Sequence, residues 1–273
     1  MKSDFKIHCI MLAKNEADVI ALCLREASQW ADYIYVYDNG STDGTWEIVQ
    51  SLQNGKIIPW KQHDQVFQEG IRAEVFNEFR HLAQPGDWWL KLDADDFYRP
   101  EFRQQLAEVP PGHDVVWTIT LDYQLTDKNI RESDFAAPIE QVLAGLRYYK
   151  AGYSELHCFR HRKGLTWTPA TAWPKHAGVV ALTRPILKHY PHRSPQQIQS
   201  RLDLRRQVRA KGFKGWEHAA QATWREKVVP HQECHFDDGS GHYHVDERTL
   251  PWHIEPFPKR LTKMLLHRTG IWP

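Results

Sequence analysis

Three short polar clusters carry the residue types that phosphate and metal chemistry require. The first is Asp93-Ala94-Asp95-Asp96, directly after the apolar run Trp88 to Leu92. Three carboxylates within four residues repel one another unless they share a cation or are fully solvated. Hard cations such as Mg²⁺ and Mn²⁺ take oxygen ligands and keep one or two carboxylates together with substrate phosphates. Extended geometry puts Asp93 and Asp95 on one face, where both can reach one ligand complex. The competing reading is a solvated acidic turn in which Asp96 caps a helix. The second cluster runs from Asp38 and Asn39 to Gly44. It joins an acceptor carboxylate, suited to a base N–H or a ribose hydroxyl, to turn-forming glycines and helix-capping side chains. In the third, Lys14-Asn15-Glu16, Lys14 can neutralise phosphate while Asn15 and Glu16 cap a helix or touch a nucleoside.

The elements that must hold these clusters can be read from periodicity. Ile7–Ala13, Asp32–Tyr37, Lys56–Trp60 and Asp87–Leu92 read as strands, the third ending or lying at an edge because of Pro59. Ala17–Trp30, Thr45–Leu52 and Gly70–Leu82 read as helices between them. Strands alternating with helices imply a parallel sheet with right-handed crossovers, whose ligands bind beyond the carboxyl ends of the strands. All three clusters fall at such ends. In the second half Val115–Leu121 is a further strand, Gly152–Arg160 and Lys163–Trp167 suggest a hairpin or a sheet extension, and Ser194–Lys211 is a helix with a basic face. The organisation expected is a domain over 1–210, with a donor half to about 100 and an acceptor half after it, and a C-terminal elaboration over 211–273.

In order and spacing, Leu12-Ala-Lys-Asn-Glu16, Tyr37-Asp-Asn-Gly-Ser-Thr-Asp-Gly-Thr45 and Leu92-Asp-Ala-Asp-Asp96 resemble family 2 glycosyltransferases of the GT-A fold, closely over residues 5 to 100. The resemblance implies a GT-A-like α/β fold with a mostly parallel central sheet flanked by helices and an irregular α+β C-terminal extension. It also implies a nucleoside-diphosphate sugar donor, a divalent cation (Mn²⁺ or Mg²⁺) and inversion at the anomeric carbon. Carried over by position, Asp38 contacts the nucleobase, Asp93 the ribose or the metal, and Asp95 the metal. Asn39 and Lys91 join the donor-binding set, and Arg72 contacts the diphosphate or is a plain surface arginine. Glu155, in Ser154 to Arg162, is the candidate general base, against an ion pair with Arg160 or Arg162. Asp122 and Asp127 are the alternatives for that role. His189, in Lys188-His-Tyr-Pro-His-Arg-Ser194, is the candidate third metal ligand, and Arg193 a candidate contact for the leaving diphosphate.

Composition narrows the partners. Lys and Arg number 35 against 34 Asp and Glu, a net charge of +1, so whole-molecule attraction to nucleic acid is not expected. Four well-separated cysteines suit a reducing compartment, and no stretch approaches a membrane span, so a cytoplasmic protein is expected. The His231–His244 segment resembles a zinc cluster in composition, but its glycines make polar loop histidines the stronger reading. Residues 258–268 form a short basic amphipathic helix with Leu261, Met264 and Leu265 on one face, suited to peripheral contact with a membrane that carries a lipid-linked or other saccharide acceptor. A nucleotidyltransferase and a non-catalytic nucleotide-sugar-binding module are the competing functions. The former wants a glycine-rich phosphate loop that Lys14-Asn15-Glu16 does not provide.

Overall fold

A computed structural model describes residues 5–210 and 222–273. The strands are β1 (Ile7–Ala13), β2 (Tyr33–Asp38), β3 (Ile57–Gln62), β4 (Trp88–Leu92), β5 (Asp96–Tyr98), β6 (Val115–Tyr123), β7 (Tyr148–Arg160), β8 (Ile186–His189) and β9 (His235–Phe236). The helices are α1 (Ile20–Ala27), α2 (Thr45–Ser51), α3 (Ile71–Phe79), α4 (Phe102–Ala107), α5 (Asp127–Glu132), α6 (Ile139–Gly145), α7 (Pro195–Ala210) and α8 (Phe257–Arg268). The strand order is β3-β2-β1-β4-β7-β6-β8-β5, with β9 on β7. The chain divides into two compact units, Met1–Ile119 with Ser154–Leu187 and Pro251–Pro273, and Thr120–Tyr153 with Lys188–Leu250. Residue 210, the domain boundary read from sequence, lies in the second, and Pro251–Pro273 belongs with the first.

In the first unit β3, β2, β1 and β4 are mutually parallel, and β7 joins β4 antiparallel through Trp88–Arg160 and Leu90–Cys158. The chain winds outward from β1 to β3, then returns to the other side of β1 for β4. That reversal is a topological switch point, and in sheets of this kind ligands bind beyond the carboxyl ends of the strands that flank it, here β1 and β4. Covered on both faces, β1 and β4 are almost wholly buried, which is why they read as unbroken apolar runs. Tyr35, Phe76, Trp89, Phe159 and Trp167 pack one core, with Phe79 stacked on Tyr35 at 4.0 Å. Pro59 sits in β3, the edge strand of that end, where its missing N–H costs no ladder bond.

Three expectations are corrected. The helix expected from Ala17 begins at Ile20, because Glu16 O accepts from the N–H groups of Val19 and Ile20 and closes a turn first. Lys163–Trp167 forms no strand; Leu165 and Trp167 are apolar because they fold into the core. Asp96 caps no helix but opens β5, its Oδ2 accepting from Asp93 N at 3.0 Å. Lys211, the last residue of the expected basic helix, lies outside the described residues.

In the second unit, β9 pairs antiparallel with the start of β7 through Tyr148–Phe236 and Tyr149–His235. Thr126 caps α5 in a reciprocal box with Asn129.

Candidate active site

The carboxyl ends of β1, β2 and β3 are laced together by side chains of the expected donor-binding set. Lys14 Nζ donates to Asn39 O at 2.7 Å and to Asp64 Oδ1 at 2.8 Å. Asn15, left-handed at φ 56°, accepts from Thr42 N at 2.8 Å, and Glu16 N donates to Thr45 Oγ1 at 2.9 Å. Asn39 Oδ1 accepts from Gln65 N at 3.1 Å. Gly40 is required here: at φ 77° its missing Cβ would lie 2.6 Å from Asp64 Cβ.

Asp38 ends β2 and is completely buried. Its Oδ1 accepts from the N–H groups of Gly40 at 3.0 Å and Ser41 at 2.7 Å, and from Gln62 Nε2 at 3.3 Å. Its Oδ2 is shielded from solvent and has no hydrogen-bond partner. A buried acceptor left unpaired costs about 1–3 kcal/mol.

Beyond β4, Asp93 is held by two cations. Arg72, on α3 and almost fully buried, donates to Asp93 Oδ1 at 2.5 Å and also to Glu69. Lys91 Nζ lies 3.6 Å from Asp93 Oδ2 and donates to Glu155 Oε1 at 2.8 Å. Burial opposes ionisation of Asp93, but Lys91 and Arg72 outweigh it and hold its pKa below the ordinary value, while Asp95 pushes it up. Asp95 and Asp96 are both buried. The position of Arg72 depends on Gly70 at the start of α3, where a Cβ would come 1.9 Å from Pro169 O.

Glu155 pairs with Lys91 and His157, whereas Arg160 and Arg162 bind Asp114 at 3.7 and 3.0 Å. Burial lowers the His157 pKa and keeps the ring neutral. Its Nε2–H therefore donates to Glu155 Oε1 at 3.1 Å, and its Nδ1 accepts from the Tyr98 hydroxyl at 2.7 Å. Burial alone would raise the Glu155 pKa, but His157 and Lys91 hold it well below the usual carboxylate range.

In the second unit, His189 ends β8 and its Nδ1 lies 2.6 Å from Asp122 Oδ1 on β6. Both are partly exposed. Asp127 is otherwise engaged: Oδ1 accepts from His231 N at 2.8 Å and Nδ1 at 2.9 Å, and Oδ2 from Arg131 at 3.0 Å. Arg193 is completely buried and donates to Tyr190 O at 3.0 Å, tying the turn from β8 into α7. His235 stacks on His244 at 5.2 Å, and Cys234 is a free thiol, as are Cys9, Cys23 and Cys158.

A model of the family described as Glycosyl transferase family 2 matches residues 9–170, more than half of the chain. The chain belongs to that family. It is similar to the lipopolysaccharide core biosynthesis glycosyltransferase LpsC of Rhizobium meliloti (strain 1021), 26% identical over 46% of this chain and 47% of that protein. Uncharacterized glycosyltransferases of Rickettsia prowazekii (strain Madrid E) and Rickettsia typhi (strain ATCC VR-144 / Wilmington) are 28% and 22% identical. Those alignments cover 40% and 80% of this chain, and 34% and 74% of the relatives. The chain thus spans about a third to three quarters of the curated relatives it matches. A crystal structure of S. aureus TarS 1-349 matches 79% of this chain and 68% of that one, at 14% identity and a TM-score of 0.37. Among the described residues, no helix is long and apolar enough to cross a membrane.

Two residues at these clusters are not anticipated from the sequence: Gln62, which reaches Asp38, and His157, which orients Glu155. Both had a readable signal. Gln62 ends the third parallel strand, at the same sheet edge as the three clusters. His157 stands two residues from Glu155 on one strand, hence on the same face.

Proposed function

We propose that this family 2 transferase moves a sugar from a nucleoside-diphosphate donor to an acceptor hydroxyl, with a divalent cation held by Asp95 and Asp93. The observation that carries this reading is the buried, unpartnered Oδ2 of Asp38 on the sheet edge that also bears Asp93 and Asp95. A nucleobase N–H or a ribose hydroxyl supplies the missing donor. The carboxylates suit a hard cation, because Asp95 opposes the ionisation of Asp93 and a shared dication removes that repulsion. When bound, Mn²⁺ or Mg²⁺ offsets the charge that develops on the departing diphosphate.

The chain's own groups divide the remaining work. Arg72 and Lys91 fix the Asp93 carboxylate, so their charge acts through it rather than on the donor. In the acceptor half, Asp122 and His189 form the candidate base: Nδ1–H donates to Asp122, which fixes the tautomer and leaves Nε2 as the proton-accepting nitrogen. The same orienting bond equally suits His189 as a metal ligand, the role its sequence position suggests. Glu155 is a weaker base because its lowered pKa reduces its basicity. In-line attack in a single step inverts the anomeric centre. The name of the Rhizobium meliloti relative supports a lipopolysaccharide-type saccharide or lipid-linked acceptor.

The test is incubation with Mn²⁺ and a panel of nucleoside-diphosphate sugars and saccharide acceptors. Sugar transfer that is lost in Asp95→Ala supports the reading. Metal-dependent nucleotide binding without turnover on any acceptor would favour the binding module.

A further inference from the structure

Helix α8 is turned opposite to the expectation for a terminal helix that packs on its own domain. Phe257, Leu261 and Leu265 recur every four residues, so they share one side of the helix, and they are 68%, 46% and 51% exposed. Ile271, just past the helix, is 69% exposed. Among the described residues nine large hydrophobic side chains are exposed, and these are four of them. The other side of the helix carries its contacts within the chain. Lys263 donates to Glu255, His267 Nδ1 lies 2.6 Å from Pro273 O, and Met264 lies against Gly112. Burying a leucine is worth about 1.5–3 kcal/mol, so a face that presents two of them with a phenylalanine is one that something covers.

The charge around this face identifies the cover. From Pro256 to Pro273 the sequence holds Lys259, Arg260, Lys263 and Arg268 and no acidic residue. Lys259 and Arg268 are exposed on the helix itself. Two neighbouring loops add to them. The loop bearing the exposed Lys163 meets the segment where Gly164 faces Pro273, and the loop bearing the exposed Lys175 meets it where His176 packs on Trp272 at 4.2 Å. An apolar stripe rimmed by cations and free of carboxylates complements acyl chains beneath anionic headgroups. We infer that α8 lies in the interface of an anionic bilayer, with Phe257, Leu261, Leu265 and Ile271 inserted and Lys259 and Arg268 at headgroup level. This corrects the face read from sequence, since Met264 points to the protein while Leu261 and Leu265 point out.

The inference is independent of the donor chemistry and is tested without it. The full chain is sedimented with vesicles of phosphatidylcholine alone and of equal parts phosphatidylcholine and phosphatidylglycerol. Partition into the mixed vesicles is expected, with about tenfold or greater weakening in L261S/L265S. K259E/R268E should weaken binding to the mixed vesicles and remove its salt dependence. Because these side chains are already exposed, thermal unfolding and nucleotide binding of both variants should match wild type, which separates loss of docking from loss of fold or of donor binding. Wild-type protein that stays in the supernatant, or L261S/L265S that partitions like wild type, overturns the inference. So does a concentration-dependent dimer in sedimentation velocity that L261S/L265S abolishes, because a second copy would then be the cover.

Discussion

Replacing Lys91 with methionine keeps much of the side-chain volume and removes a positive charge shared by Asp93 and Glu155. Lys91 lies 2.8 Å from Glu155 and 3.6 Å from Asp93; its side chain is 10% exposed, and theirs are 27% and 33%. Breaking a buried ion pair by removing one partner costs roughly 3–5 kcal/mol. Partial solvation of both carboxylates and the surviving Arg72–Asp93 pair reduce this to about 2–3 kcal/mol at pH 7. The sign of the pH dependence follows from the native pKa values, which are lowered for both acids. Stability from such groups is present above their unfolded-state pKa near 4 and is lost as pH falls through the lowered native values. K91M raises those native values, so its cost is full at pH 7 and shrinks below about pH 4. Denaturant unfolding of wild type, K91M, E155Q and K91M/E155Q at both pH values measures the effect. The double variant should recover about 1 kcal/mol relative to K91M, since the carboxylate that loses its direct 2.8 Å contact with Lys91 is then gone. A K91M loss below about 0.5 kcal/mol at pH 7, or one that does not change with pH, refutes the ion-pair reasoning.

Three further outcomes follow from the geometry. Asp38→Asn keeps an acceptor for Gly40 and Ser41 but puts a donor where the unpartnered oxygen stands; nucleoside-diphosphate affinity by calorimetry should fall about tenfold or more, with stability within about 1 kcal/mol of wild type. Asp122→Asn should lower kcat about 100-fold through the wrong histidine tautomer, with nucleotide Kd unchanged, whereas E155Q should retain more activity; the reverse order in steady-state kinetics would make Glu155 the base. Gly70→Ala forces a Cβ against Pro169 O and should cost about 2 kcal/mol or more in denaturant unfolding, with the loop at 169 displaced.

The sheet edge that bears Lys14, Asp38 and Asp93 was legible because short-range patterns determine it. Apolar runs locate β1, β2 and β4, parallel winding brings their carboxyl ends to one edge, and the polar residues follow each strand directly. Lys14, Asp38 and Asp93 needed no tertiary information beyond that. What sequence could not supply was the pairing of charges. Arg72 reads as a diphosphate contact or a surface residue, yet it is buried on Asp93, because Gly70 lets α3 pack against the Pro169 backbone. The sequence offers Glu155 an ion pair with Arg160 or Arg162, but strand alternation and the β4–β7 pairing give it Lys91 and His157 instead. Leu165 and Trp167 look like strand residues because burial in an irregular segment demands the same side chains as burial in a strand. For α8 the helical period is visible, but which side meets the protein depends on Gly112 and Glu255, distant in sequence or outside the helix.

Titration calorimetry of nucleoside-diphosphate sugars into wild type, with Mn²⁺ and with chelator, most directly tests donor binding at the β1–β4 edge. Binding is expected only with the metal, to be lost in Asp95→Ala and weakened in Asp38→Asn. Equal affinity with and without metal, or an Asp95→Ala variant that binds like wild type, would contradict it.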